Sequence, residues 1–551
     1  MEVAINLASL GAGLASPFVD ITRTGSSPRA MYSNQGATLG PNGWPTTPAE
    51  YAANYCFSPG THNYTIIITK GSASNVRIMN PPARPPIVNG RATFDMTGID
   101  ETSIPINVIT TAAGETRWAI VRTDWLALWE KNPLAFDPDW FASVAQWFRL
   151  RLMDWMGTND NKTDDYWSGS LDAATFAGKG KGMPIEVIAQ LANDTGKQLH
   201  LSFPVGISDA NAVKLVTNLD KLLGPTAKPI LWENGNEVWN AGFAAHNYAI
   251  TQDKVTWWVA ATASYNEALA AYNAALASGS SALMAKPVKP PEPDGYRWYG
   301  ARSVQLSKLL QGMGKKVGVD FDFGIGCQPA QPGKGVVVFE GVENAGGSGA
   351  DFTDWLITGY INGTLTGADD VLMPLIDADD LAGAAENIRH GENFVRAGKT
   401  APDKGQSLDT VKSATVRHVA FAASKGIKRT SWYEGNLHMR ALPHYALVKD
   451  KVVAFFKKLC GSPFAGQLMK ENLQIAEEAG VYCATLFNDR TPWNEWGCFR
   501  LYGTPAWDTA VQYIADHAVK PPTELDAINA AIAELRAQLD ALATRVAALA
   551  A

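Results

Sequence analysis

Eight short apolar segments, most of them followed by a helical pattern, constrain the fold of this chain more than any other feature. They are residues 3–7, 148–153, 198–203, 229–233, 319–325, 370–375, 429–433 and 483–487. Short apolar runs that alternate with helical patterns are typical of βα units around a parallel sheet. Eight such units in 551 residues predict an α/β protein built on a TIM (β/α)8 barrel.

Two segments interrupt this alternation. Residues 26–120 are rich in Pro, Gly, Thr and Asn and contain β-prone runs, so we predict a small β-rich module inserted after the first barrel strand and its loop, residues 1–25. Residues 251–295 are rich in Ala and Tyr and end in a Pro-rich stretch. They predict a helical hairpin beside the barrel, within a barrel domain that spans residues 121–518.

The last part of the chain has a heptad pattern. After Pro521 and Pro522, the apolar residues are spaced alternately three and four positions apart: Leu525, Ile528, Ile532, Leu535, Leu539, Leu542, Val546 and Leu549. This spacing predicts a linker and an oligomerising coiled coil over residues 519–551, with a homotrimer through residues 523–550 favoured. The alternative is an amphipathic helix that packs on its own barrel.

Composition and charge argue against several classes of function. The net charge of −7 argues against a nucleic-acid partner, since phosphate binding needs clustered Lys and Arg. The 18 Trp residues suit a carbohydrate binder because sugar rings stack on indoles, although most single Trp residues lie in protein cores.

No apolar run reaches membrane-spanning length, so we expect no membrane insertion. Residues 1–7 lack a basic region, and we interpret them as a strand and not as a signal peptide.

Cysteine and acidic residues indicate neither a disulfide framework nor a metal site. The five cysteines follow no CxxC or zinc spacing, which predicts free thiols: Cys56, Cys327, Cys460, Cys483 and Cys498. The acidic residues between 369 and 380 fit no EF-hand spacing, so a solvated loop is favoured over a calcium site.

A pair of glutamates carries the predicted chemistry. In a TIM barrel the functional groups lie at the C-terminal ends of the strands. Glu237 follows the fourth predicted strand and Glu434 ends the seventh, and these two strands face each other across the barrel mouth. Retaining glycosidases use two carboxyls about 5 Å apart. Glu237 is therefore a candidate acid/base and Glu434 a candidate nucleophile, a reaction that needs no metal or organic cofactor.

Further residues near the strand ends have candidate roles. Asn236 is suited to bind a sugar 2-hydroxyl, and Tyr433 to orient or tune Glu434. The other candidate sugar contacts are Trp239, His438, Trp493 and Trp496, and for the Trp residues the alternative is a place in the core. The candidate supporting residues are Glu233, Asn159 and a possible ion pair between Arg151 and Asp154. Glu340 ends another apolar run and is a weaker candidate for the nucleophile.

An ordered set of motifs resembles the retaining (β/α)8-barrel glycoside hydrolases, with Asn-Glu after strand four and Glu after strand seven. The set comprises Ile5–Ser9 with Pro17–Asp20, Leu150–Trp155 with Thr158-Asn159, Glu233 ahead of Asn236–Asn240, Tyr299–Ser303, and Tyr433–Gly435. It is similar to a narrower group of bacterial and phage-borne members, and it covers roughly residues 1–510.

The resemblance implies a retaining hydrolase of a microbial surface polysaccharide. With the heptad tail, it implies a place in a phage tail fibre or spike, where other tail proteins are possible partners; a bacterial cytoplasmic or non-classically exported protein is the alternative.

Two departures from the family keep other functions open. A His is expected near the end of strand three, where the chain has Phe203-Pro204-Val205. An aromatic residue is expected after strand six, where the chain has Pro374-Leu375-Ile376. The alternatives are a catalytically weak or inactive glycan-binding adhesin and, second, a structural tail protein.

Overall fold

The computed structural model describes residues 1–8, 10, 16–31, 36–57, 62–79, 82–97, 103–159, 170–176, 182–278, 285–365, 369–391, 405–439, 445–489 and 503–517. By its contacts the chain divides into residues 1–510 and residues 511–551. Only residues 511–517 of the second unit are described. The predicted coiled coil, residues 523–550, lies outside the described residues and stays a prediction.

Eight parallel strands form a closed barrel in the first unit. They are β1 Glu2–Asn6, β10 Arg149–Arg151, β11 Gln198–Phe203, β12 Ile230–Asn234, β13 Phe321–Gly326, β14 Asp354–Ile361, β15 Arg429–Leu437 and β16 Cys483–Leu486. Neighbours in this series pair in parallel, and β1 pairs with both β10 and β16, which closes the ring. The predicted (β/α)8 barrel is therefore confirmed.

The helices lie mainly between the barrel strands. They are α1 Leu126–Lys131, α2 Pro138–Ala145, α3 Ile185–Thr195, α4 Asp209–Asp220, α5 Ala244–Asp253, α6 Val259–Ala277, α7 Tyr296–Gly312, α8 Lys334–Asn344, α9 Asp369–Ala378, α10 Leu381–His390, α11 Leu408–Ser424, α12 Lys449–Cys460, α13 Pro463–Glu478 and α14 Pro505–His517. Their ends follow local chemistry: Ser208 and Ser407 accept backbone N–H groups at the starts of α4 and α11. No helix within the described residues has the length and apolar character needed to cross a membrane.

The prediction of the sixth strand was wrong. Residues 370–375 belong to helix α9, and the sixth strand is β14, Asp354–Ile361. A short buried helix face and a buried strand both produce a compact apolar run, so periodicity alone does not separate them. The acidic stretch that was predicted to be a solvated loop is largely helical, and among its described residues Asp377 and Asp379 pair with Lys451 and Lys458.

The predicted β-rich module is present between β1 and β10. It comprises β2 Arg29–Ala30, β3 Glu50–Cys56, β4 Asn63–Lys70, β5 Ala73–Met79, β6 Pro82–Ala83, β7 Arg91–Asp95, β8 Ser103–Thr110 and β9 Arg117–Arg122. These strands form antiparallel sheets of order β2-β3-β8-β5-β6 and β7-β4-β9, around one apolar core.

A segment of the loop after the second barrel strand packs on this module. Trp44 donates its indole N–H to the Asp172 carbonyl at 2.8 Å. Ala174 is buried in the module core, and its backbone N–H bonds to the Asn42 carbonyl at 2.9 Å. The module therefore anchors residues 170–176 of the loop that also carries Asn159.

The second insertion differs in part from the predicted hairpin. Helix α5, a π-helical turn at Lys254–Trp258 and helix α6 form one continuous helical run. Residues 285–294, which would supply the second arm, contain no helix. The four prolines between 287 and 293 account for this, because proline lacks the N–H that a helix interior requires.

Candidate active site

A strained turn after the fourth strand presents Glu237. Gly235 has φ of +70° and Glu237 has φ of +42°, a left-handed conformation that is uncommon for residues other than glycine. The Gly235 N–H bonds to the Phe203 carbonyl at 2.8 Å, and the Asn240 N–H bonds to the Glu237 carbonyl at 2.7 Å. These bonds hold a backbone that costs of order 1–3 kcal/mol, and such strain concentrates at functional sites.

A β-bulge in the seventh strand presents two consecutive side chains at the mouth. Trp432 pairs with Ile357 and Glu434 with Thr358, so Tyr433 has no partner position on β14. In a regular strand consecutive side chains point to opposite faces, whereas a bulge redirects one of them. Here both the Tyr433 hydroxyl and the Glu434 carboxyl make contacts in the same site.

Glu434 is a buried carboxyl with two strong donors. Arg151 Nη1 donates to Oε1 at 2.7 Å, and the Tyr360 hydroxyl donates to Oε2 at 2.6 Å. Burial raises the pKa of Glu434 to about 7, and the charge of Glu237 adds to this rise while Arg151 opposes it. The two glutamates are therefore close enough to influence each other's protonation.

Arg151 connects the ends of four barrel strands. Besides Glu434, its guanidinium donates to Glu233 at 3.2 Å, to the Asn236 side-chain oxygen at 2.6 Å and to Asn6 at 3.3 Å. Burial alone would lower the pKa of Arg151, but the charges of Glu233 and Glu434 raise it. The predicted pair with Asp154 is not among the Arg151 contacts in the described residues, so this part of the prediction was wrong.

Glu233 is a buried partner of Arg151 and His200. His200 Nε2 lies 3.0 Å from Glu233 Oε2, and burial lowers the pKa of His200 to about 4. The imidazole is therefore neutral at pH 7 and donates through Nε2. Burial alone would raise the pKa of Glu233, but the interactions with Arg151 and His200 outweigh burial and lower this pKa.

Glu237 is the more accessible carboxyl and also has two donors. The Tyr433 hydroxyl donates to Oε1 at 2.7 Å, and Asn240 Nδ2 donates to Oε2 at 2.9 Å. Tyr433 therefore contacts Glu237, and not Glu434 as predicted. Close by in sequence, the partly exposed Trp239 stacks parallel to Tyr296 with ring centroids 5.9 Å apart.

The remaining predicted residues divide into four groups. Asn236 donates to Asn159 Oδ1 at 2.7 Å and accepts from Arg151, so much of its amide is already bonded. His438 stacks on the Tyr360 ring at 4.6 Å and so lies beside the Glu434 site. Trp493 and Trp496 lie outside the described residues. Glu340 lies in α8 and pairs with Arg297, away from the strand ends, so it is not a second nucleophile candidate.

Sequence reasoning missed Tyr360, His200, Asn240 and Asn6. Tyr360 lies within the sixth strand, β14, one position before its end, whereas the predicted sixth strand at residues 370–375 led the comparison to Pro374-Leu375-Ile376. The run Asp354–Ile361 is rich in β-branched and aromatic residues, which was the available signal. His200 lies within β11, three positions before Phe203, where the sequence analysis did not single it out.

No family model and no curated protein matches this chain. Solved structures match over most of its length at low identity. One is the xylanase 10B of Clostridium thermocellum, a CBM22-1–GH10 fragment, with 8% identity, 92% of this chain and 98% of that chain covered, and a TM-score of 0.37. Another is the 4-O-α-L-rhamnosyl-β-D-glucuronidase of Fusarium oxysporum, which is 12% identical with a TM-score of 0.33. The match covers 67% of this chain and 61% of that chain. A xyloglucan-specific β-1,4-glucanase from a ruminal metagenome is 11% identical with a TM-score of 0.29. The match covers 65% of this chain and 93% of that chain.

The described residues contain no group of three or more His, Cys, Asp or Glu that could hold a metal ion.

Proposed function

We propose that this protein is a retaining glycoside hydrolase that acts on a polysaccharide. The observation that supports it is the pair of carboxyls, Glu237 and Glu434, at the ends of the fourth and seventh barrel strands. The hydroxyl of Tyr433, the residue before Glu434, donates to Glu237, and the charge of Glu237 raises the pKa of Glu434. Two carboxyls in one mouth, one partly exposed and one buried against a guanidinium, are the groups that this reaction needs.

The donors around the two carboxyls support a division of roles. Arg151 and Tyr360 both favour the ionised form of Glu434, while burial and the charge of Glu237 oppose it. The pair is therefore most stable when it holds one proton in total. In the reactive arrangement of the pair this proton lies on Glu237, which acts as general acid, and the negative charge lies on Glu434, which acts as nucleophile.

The reaction follows from these roles. Glu434 attacks the anomeric carbon while the bond to the leaving oxygen breaks, and Glu237 gives its proton to that oxygen. Glu237, now ionised, takes a proton from water, whose oxygen attacks the anomeric carbon and releases Glu434. Both carboxyls return to their starting state and the sugar keeps its anomeric configuration.

The pH dependence has a defined sign. The pKa of about 7 for Glu434 includes repulsion by an ionised Glu237, so it describes loss of the pair's last proton. The singly protonated pair is the active form. We expect kcat/KM to fall as pH rises through about 7, and to fall again at lower pH when the pair gains its second proton.

The proposed substrate is a microbial surface polysaccharide, and the proposed setting is a phage tail fibre or spike. The partly exposed Trp239, two residues beyond Glu237, supplies an aromatic face of the kind on which sugar rings stack. The heptad pattern of residues 523–550 supports an oligomer, in which several barrels would bind a repetitive glycan with avidity.

The test is sugar release from a panel of capsular polysaccharides and exopolysaccharides. Glu434→Gln and Glu237→Gln should each lower reducing-end release by about 10²-fold or more. Glu340→Gln, which removes a glutamate from helix α8, is the matched control and should leave release unchanged. With an aryl glycoside whose leaving group departs without protonation, adding azide to Glu237→Ala should yield a glycosyl azide of retained configuration, since azide needs no general base.

Full activity of Glu434→Gln would contradict the proposed nucleophile. A wild-type protein that binds members of the panel without shortening any chain would favour the adhesin. Absence of both binding and cleavage would favour the structural tail protein.

A further inference from the structure

Tyr433 is fixed at three points around the candidate active site. Its hydroxyl donates to Glu237 Oε1 at 2.7 Å. Its ring faces the Arg151 guanidinium at 4.9 Å, and its backbone carbonyl accepts from Asn6 Nδ2 at 3.0 Å. The side chain is buried, and it reaches Glu237 because the β15 bulge places it at the mouth beside Glu434.

We propose that Tyr433 is a positioning residue for the general acid: its hydroxyl holds the Glu237 carboxyl in the orientation that delivers the proton to the leaving oxygen. This inference rests on the proposed function. The Glu237 carboxyl stands on a left-handed turn and is only partly buried, so the backbone alone leaves it free to rotate. Tyr433 and Asn240 each hold one of its oxygens. Of the two, Tyr433 is the rigid anchor, because Asn240 lies on the same turn as Glu237.

Within the described residues, few other groups near Glu237 could hold its carboxyl in this orientation. Among the described residues, the titratable groups that interact with Glu237 are Glu434, Tyr296, Tyr360 and Tyr433, and Arg151 lies behind the Tyr433 ring. Glu434 repels an ionised Glu237 and cannot hold it. Burial raises the pKa of Tyr433 well above its usual value, so the hydroxyl keeps its proton and stays a donor throughout the working pH range.

A second tyrosine provides a matched comparison. Tyr360 donates its hydroxyl to Glu434 at 2.6 Å, as Tyr433 does to Glu237. Tyr360→Phe and Tyr433→Phe remove the same atom from opposite sides of the site. If Tyr433 acts through the acid, its loss affects only bonds that need a proton for cleavage. Loss of the donor to the nucleophile affects every substrate.

The experiment uses aryl glycosides built on the oligosaccharide that the wild-type protein releases from its polysaccharide. A phenyl leaving group needs protonation, whereas a 2,4-dinitrophenyl group leaves without it. For Tyr433→Phe we expect kcat/KM to fall by about tenfold or more with the phenyl glycoside and by about twofold or less with the dinitrophenyl glycoside. For Tyr360→Phe we expect similar losses with both. Thermal unfolding of each variant checks that the fold is kept.

Equal losses with both leaving groups in Tyr433→Phe, or no loss with either, would overturn the inference while leaving the proposed function standing. If Tyr433→Phe does not fold, Tyr433→His replaces it: a loss confined to the phenyl glycoside supports the inference, and equal losses with both glycosides overturn it. If the wild-type protein cleaves no polysaccharide, the proposed function fails and this inference fails with it.

Discussion

Replacing the candidate nucleophile should stabilise the protein in a pH-dependent way. The pKa of Glu434 is raised from its usual 4.5 to about 7 because the carboxyl is buried near Glu237. A group whose folded pKa is raised contributes its stability below the unfolded pKa, and this contribution is lost as pH rises through the folded pKa. At pH 8 the wild-type protein therefore carries a penalty for ionising Glu434. The size of the rise sets this penalty at about 3 kcal/mol.

Glu434→Gln removes the charge and keeps the shape of the side chain. We expect its free energy of unfolding to match that of the wild type near pH 4 and to exceed it by up to about 3 kcal/mol at pH 8. Urea unfolding of both proteins at a series of pH values measures this difference.

The matched control is Glu233→Gln, which changes the other carboxyl bonded to Arg151. Arg151 and His200 lower the pKa of Glu233, so its charge stabilises the fold above pH 4.5. We expect Glu233→Gln to be less stable than the wild type at pH 8, the opposite sign. A Glu434→Gln protein that is no more stable than the wild type at pH 8, or whose advantage does not change with pH, would refute the reasoning.

Two further predictions concern the module and the tail. Ala174→Asp places a charge in the apolar core of the module and should destabilise the protein by about 2 kcal/mol or more in urea unfolding, whereas Leu171→Asp, at an exposed position of the same segment, should not. If both variants unfold alike, residues 170–176 are not anchored as described. Deleting residues 521–551 should convert an oligomer into a monomer by light scattering, and an unchanged mass per particle would exclude the coiled coil.

The barrel was predictable because its evidence is repeated along the chain. Seven of the eight predicted segments overlap observed strands, since parallel strands covered on both faces leave continuous apolar runs. The sixth failed because Val371–Leu375 is an apolar stretch of a helix, in which Leu372 is buried. The β-prone run at Asp354–Ile361 was the better candidate by composition, and the length of the helix that follows would have decided between them.

The positions of the two glutamates were predictable, but their partners were not. A strand end places Glu237 and Glu434 at the mouth whatever the details of packing. The partners of Arg151 lie 82 and 283 positions away, at Glu233 and Glu434, so no local pattern indicates them. The contact of Tyr433 with Glu237 depends on a bulge, and the bulge depends on the register between β15 and β14, which the sequence of one strand does not contain.

The two ends of the barrel treat buried carboxylates in opposite ways. At the N-terminal ends of the strands, Asp354 is buried between Arg149 and Arg429, and these two guanidinium groups overcome the effect of burial and lower its pKa. At the C-terminal ends a single guanidinium, Arg151, is shared between Glu233 and Glu434, with Glu237 nearby.

Because Arg151 also pairs with Glu233, its positive charge only partly offsets the burial of Glu434, and the pKa of Glu434 stays raised. A fold that pairs its buried charges fully at one end and leaves an excess of carboxyl groups at the other holds a proton where the charge is in excess. The retained proton belongs to the Glu237–Glu434 pair, in which the general acid must hold it while the nucleophile is ionised, and the lowered pKa of Asp354 means that the equally buried network at the other end of the barrel retains no such proton.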